Sequence, residues 1–107
     1  MDRLLSERNI LMLDHYVMFK LKPECKGDLE EVVRRLEGLQ ADVPAIRFSE
    51  VLVDGLHGPH SFDVLYHMHV DDRRAFREDY MPHPKHVPVQ RYIEARVCGI
   101  ADIDVDS

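Results

Sequence analysis

The order and period of the apolar residues predict an α+β domain of the ferredoxin-like type. Stretches 13–21, 62–70 and 97–105 alternate in side-chain character with a strand's period of two, and 46–53 is rich in Ile, Phe and Val. Between them, 28–40 repeats apolar residues at helical spacing, and a shorter helical pattern begins after Asp71. The resulting order, β-α-β-β-α-β, is that of a four-stranded antiparallel sheet with its helices on one face. The other face needs a cover. Apolar residues on both faces of the first strand make a second copy of the chain the simplest cover, giving a homodimer.

In the first strand Leu13, His15, Val17, Phe19 and Leu21 point one way, and Asp14, Tyr16, Met18 and Lys20 the other. Pro23 and Gly27 mark a turn, after which Asp28 stands at a helix N-cap with Glu31 as its capping-box partner. Leu29, Val32, Val33, Leu36 and Leu39 form that helix's stripe, and Pro44 ends the connection to the second strand, 46–53. A Gly/Pro loop, 54–60, leads to the third strand, with Phe62, Val64, Tyr66, Met68 and Val70 on one face. Asp71 or Asp72 caps the second helix, Pro88 starts a last helical turn, and Asp102, Asp104 and Asp106 of the fourth strand are expected to face water. Residues 1–12 read as an N-terminal extension and 13–107 as the domain.

The composition of the 107 residues, 45% hydrophobic and 32% charged, is that of a soluble globular chain. A formal charge of -6 argues against nucleic acid as a partner, since backbone binding needs clustered Lys and Arg. No apolar run is long enough for a membrane span, and the charged start is not a signal peptide. Cys25 and Cys98 lack paired spacing and read as reduced, buried or half-buried thiols, which fits a cytoplasmic location.

Chemistry concentrates in Tyr80-Met81-Pro82-His83-Pro84-Lys85-His86, a phenol and two imidazoles in a segment that its prolines keep from running on as helix. Imidazole, with an unperturbed pKa of about 6.5, both takes and gives protons near neutrality. His86 with Tyr80 suits proton abstraction next to a carbonyl, with a donor for the enolate oxygen, provided the rings meet. The alternative is a helix-ending motif that uses its histidines as caps. His15, on an apolar face, is either a core histidine with a polar partner or a site residue. His67 and His69 share a strand face with Asp63 behind them, a spacing from which a strand can offer metal ligands. Without a committed third ligand they read as a polar strand, and no metal is expected. No phosphate-binding glycine motif, nucleophile elbow or paired-Cys spacing occurs.

Several of these stretches together resemble the stress-responsive dimeric α/β barrel (Dabb) family. Asp14 to Pro23 resembles its opening strand, a His followed by alternating apolar residues and F-K-x-K. Val43-Pro44-Ala45-Ile46 resembles its I-P-G step, Phe62-Asp63 its Y-D, and Tyr80 to His86 its Y-x-x-H-P-x-H. The resemblance implies a protomer whose sheet pairs with a second one in a dimeric barrel with a small-molecule cavity. It also implies cofactor-free chemistry of the kind performed by olivetolic acid cyclase, which closes a polyketide by aldol condensation. By motif position, His86 would be the general base, Tyr80 an orienting donor and His15 their partner. Val17, Phe19, Val64 and His83 would contact the ligand. Where that cyclase has a further strand-three histidine, this chain has Val64, while the acid-base pair is kept. A partly apolar carbonyl compound is then the expected ligand, with no cofactor. A non-catalytic binding or stress-related dimer is one alternative, and a cofactor-independent monooxygenase-like protein is another, weakened by the absence of Trp.

Overall fold

The structure, a computed structural model, describes residues 12–106. The extension read over 1–12 therefore lies, Met12 apart, outside the described residues. Alternation in the first strand, β1 (Leu13–Leu21), becomes a difference in burial: Leu13, His15, Val17, Phe19 and Leu21 are buried, and Met18 on the other face is exposed. A 3-10 turn (Pro23–Asp28) leads into helix α1 (Leu29–Asp42). The expected capping box does not form there. The turn already supplies the Lys26 carbonyl to the Leu29 N–H, so Asp28 instead accepts from Arg96 Nε at 3.2 Å, and Glu31 pairs with Arg34 and Arg35.

Strand β2 (Phe48–Val53) starts later than expected, because Ile46 turns its N–H back to the Val43 carbonyl and buries its side chain. Strand β3 (Val64–Val70) is followed by a π-helical turn, α2 (Ala75–Tyr80), then α3 (His86–Glu94) and β4 (Val97–Asp106). The sheet order is β2-β3-β1-β4, with every neighbouring pair antiparallel, so the two inner strands are the first and third of the chain. This is the ferredoxin-like α+β fold that the element order predicts.

Helices cover one face. Val32, Leu36 and Leu39 of α1 and Ile93 of α3 pack in one core with Val17, Tyr66 and Met68 of the sheet. The Tyr92 ring of α3 is clamped between the guanidinium groups of Arg35 and Arg96, 3.9 and 3.6 Å from its centroid. On the other face Met18, Phe48, Leu52, Ile103 and Val105 are exposed. Among the described residues no helix is long and apolar enough to cross a membrane. Both cysteines are free thiols, Cys25 half-buried and Cys98 exposed, the latter more open than expected because its β4 position lies near the sheet's edge.

Asp63, expected to stand with His67 and His69, does not join them. Its carboxylate accepts the Leu21 N–H at 2.7 Å and Lys26 Nζ at 2.8 Å, tying the end of β1 to the start of β3. Burial raises its pKa, but these two donors outweigh that and hold it below the usual range. Asp63→Ala leaves the Leu21 N–H without a partner. We expect it to cost about 1–3 kcal/mol, read as a lower urea midpoint, with Asp63→Asn losing less because an acceptor remains.

Candidate functional site

Between the helices and the inner face of the sheet lies a cavity of about 330 Å³. Its shape depends on α2, which Asp72 caps by accepting the Ala75 N–H at 2.8 Å. The helix then widens: Met81 N–H donates to the Phe76 carbonyl, five residues back, at 3.0 Å. Pro82 and Pro84 prevent the next turn from continuing it. The chain curls instead, and the Tyr80 and His86 rings meet at a centroid distance of 4.1 Å, tilted by 38°.

His86 is buried. Its Nδ1 lies 2.9 Å from the Met81 carbonyl, which can only accept, so Nδ1 carries the proton and Nε2 keeps its lone pair. Burial lowers its pKa, the neighbouring His15 and His83 add to that, and the Met81 carbonyl opposes it in part. The ring is thus held neutral at pH 7 with Nε2 available. Tyr80 is also buried, and burial, followed by the nearby Tyr66, pushes its phenol pKa well up, so it stays a proton-bearing donor. Among the described residues the buried Tyr66 hydroxyl has no partner in hydrogen-bonding geometry; burial pushes its pKa up to about 12, opposed by the Ser49 hydroxyl.

His15 enters from β1. The register places Asp104 of β4 directly across from it, and Asp104 Oδ1 lies 2.5 Å from His15 Nδ1. That bond fixes the ring and leaves Nε2 as its free nitrogen. Phe76 packs on the same ring at 4.9 Å, and Tyr80 lies 6.4 Å away. Asp102 and Asp104 are exposed, as expected, and they also line the cavity, because the β1–β4 register puts them on the face of His15 and Val17. Asp104 and Phe76 are the residues that the sequence reading missed.

Of the sequence candidates, His15, Tyr80, His86, Val17 and Phe19 line this one cavity. Val64 and His83 do not. Val64 is buried further along β3, opposite Phe19, bordering a separate depression with Met18 and Leu52. His83 accepts the Lys85 N–H on Nδ1 at 3.0 Å, and its carbonyl takes the N–H groups of His86 and Val87. It builds the start of α3. The cavity also lies within one chain: the His15 face of the sheet is covered by the chain's own helices.

Residues 13–107 match the family described as the Stress responsive A/B Barrel Domain, Dabb. The chain belongs to this family. Among solved structures, a dimeric ferredoxin-like protein from Thermobifida fusca is similar, at 18% identity over 91% of this chain and 92% of that one, with a TM-score of 0.80. A dimeric protein of ferredoxin-like fold from Bacteroides fragilis is 22% identical over 90% and 96% of the two chains, TM-score 0.74. The hydroxynitrile lyase of Passiflora edulis is 13% identical over 92% and 94%, TM-score 0.78. No curated protein matches. These likenesses confirm the fold of this Dabb domain. Its motif histidines and tyrosine derive their arrangement from the bonds described above.

Proposed function

We propose that the cavity binds a small, partly apolar carbonyl compound and performs acid-base chemistry on it without a cofactor. The observation that carries this reading is the convergence of His86, Tyr80 and the His15–Asp104 pair on one mostly apolar cavity within a single chain. His86 Nε2 takes a proton α to the carbonyl or from a carbinol hydroxyl. The Tyr80 hydroxyl donates to the oxygen where negative charge develops, and His15, oriented by Asp104, accepts from a substrate hydroxyl. Val17 and Phe19 supply apolar wall. In an aldol closure the enolate carbon so formed bonds to a second carbonyl, whose oxygen takes the proton back. In cyanohydrin cleavage, loss of the hydroxyl proton to His86 forms the carbonyl as the C–C bond breaks, and cyanide leaves with that proton as HCN. A hydroxynitrile lyase shares this fold.

The chain would act as a cytoplasmic homodimer joined through the open face of the sheet, as the dimeric neighbours and the exposed Met18, Phe48, Leu52, Ile103 and Val105 suggest. Two unpaired thiols fit a reducing compartment.

A panel of β-dicarbonyls, polyketide-like ketones and aromatic cyanohydrins tests the reading. At least one compound should raise the Tm. The same compound should exchange its α-proton in D₂O, or be cleaved, faster with protein than without. Stabilisation with no exchange or cleavage across the panel would leave a binding protein and reject the catalytic role.

A further inference from the structure

We propose that the open face of the sheet carries a site for a divalent transition ion of the Zn²⁺ class, with Asp14, His67 and His69 as ligands and Glu50 orienting His67. The β1–β3 register pairs Asp14 with His69 and Tyr16 with His67, so one carboxylate stands beside two imidazoles. Asp14 Oδ1 is 2.9 Å from His67 Nε2 and 3.4 Å from His69 Nδ1. One ligand atom from each residue lies within 4.8 Å of the others. Ligands sharing a tetrahedral zinc at about 2.0–2.1 Å stand roughly 3.3 Å apart, so small ring movements would bring the three onto one ion.

The surroundings are those of a built site. Both His67 nitrogens face carboxylates, Glu50 Oε2 at 2.9 Å from Nδ1 and Asp14 Oδ1 at 2.9 Å from Nε2, so each donates a proton there. An ion between Nε2 and Asp14 would take the place of the Nε2 proton while Glu50 keeps Nδ1 as the donor, the carboxylate-histidine arrangement that orients a metal ligand. Tyr16 stacks on His67 at 4.2 Å with planes 8° apart. Phe48 packs on His67 at 5.6 Å and on His69 at 5.4 Å. In the single chain the side chains of His67 and Asp14 are 13% and 14% exposed, and a second copy docked on this face would close over the site.

Two imidazoles and one carboxylate suit a borderline ion such as Zn²⁺ or Co²⁺ over Mg²⁺ or Ca²⁺, which prefer all-oxygen shells. Three protein ligands leave a fourth position for water. The site lies on the face opposite the His86 cavity and does not depend on the function proposed for that cavity. Because Asp14 is remote from His67 in the sequence, only the strand register brings in the missing ligand. A bound ion would pin β1 to β3.

The experiment is titration of chelator-treated full chain with Co²⁺, followed by its visible d–d absorption, and with Zn²⁺, followed by calorimetry and Tm. A single ion per chain and a raised Tm are expected. His67→Gln/His69→Gln should abolish both signals, and Glu50→Gln should weaken affinity roughly 10–100-fold with the same stoichiometry. His57→Gln/His60→Gln, in the 54–60 loop, should change neither. If the double variant loses its native circular dichroism, His69→Gln alone replaces it, with the same expected loss of the Co²⁺ spectrum. Absence of saturable binding in excess Zn²⁺, or binding that survives the loss of His69, overturns the proposal.

Discussion

His86→Gln is expected to lower turnover of a substrate found in the carbonyl panel by about 10²–10⁴-fold, the range of a lost general base, while the fold persists. Glutamine fills part of the ring's volume and can donate to the Met81 carbonyl, but it has no lone pair of usable basicity. Alanine would add a cavity beside Tyr80 and confuse chemistry with packing. The measurement is the rate of α-proton exchange or product formation beside a far-UV spectrum. Turnover equal to wild type would remove His86 from the mechanism. Its lowered pKa sets the pH profile. Since the neutral ring is the base, the acidic limb should have its midpoint below about 6.5, the value of a solvated imidazole. Stability carries the same signature. The unfolded chain binds the proton at higher pH than the folded chain does. This group's contribution is therefore present above about pH 6.5 and lost as pH falls through the lowered folded value. Between pH 7 and pH 5 the urea midpoint of the wild type should fall further than that of His86→Gln. Parallel curves would show that burial does not hold this ring neutral.

How much of this was legible in the sequence depends on the range of the forces involved. Period-two alternation in β1 is local and gave its bounds and buried face together, and the Asp72 cap is equally local. The meeting of Tyr80 and His86 was open, because prolines say where a helix stops but not how the chain then turns; the π-helical hydrogen bond from Met81 to Phe76 decides it. The His15–Asp104 pair is a matter of register between strands at opposite ends of the chain. Alternation put Asp102 and Asp104 on one face of β4 without saying which face met the helices. The same blindness concealed Asp14 beside His67 and His69, and made Asp63, nearer in sequence, look like their companion. Asp28 shows the converse, a sound local signal overruled when backbone and Arg96 satisfied the groups involved.

Ile103→Asp should turn a dimer into a monomer. Single exposed apolar residues are ordinary, but Ile103, 62% exposed, sits across from Tyr16 on the sheet face that also presents Met18, Phe48, Leu52 and Val105. Burying one such side chain is worth about 1.5–3 kcal/mol, and in a twofold interface the substitution acts on both copies. The loss of about 3–6 kcal/mol, before any cost of burying the new charge, weakens the dimer roughly 10²–10⁴-fold. Sedimentation velocity at micromolar chain reads this directly. A control, Leu56→Asp, changes a residue that is 86% exposed in the loop before β3 and should leave assembly untouched. A wild-type chain that sediments as a monomer, or an Ile103→Asp chain that sediments like the wild type, would reject this face as the interface. The variant also separates assembly from chemistry. Asp102 and Asp104, the neighbours of Ile103 in β4, point to the opposite side of the sheet and line the cavity there. An Ile103→Asp monomer should therefore keep the His15–Asp104 pair and turn over substrate, because every residue proposed to act on it belongs to one chain.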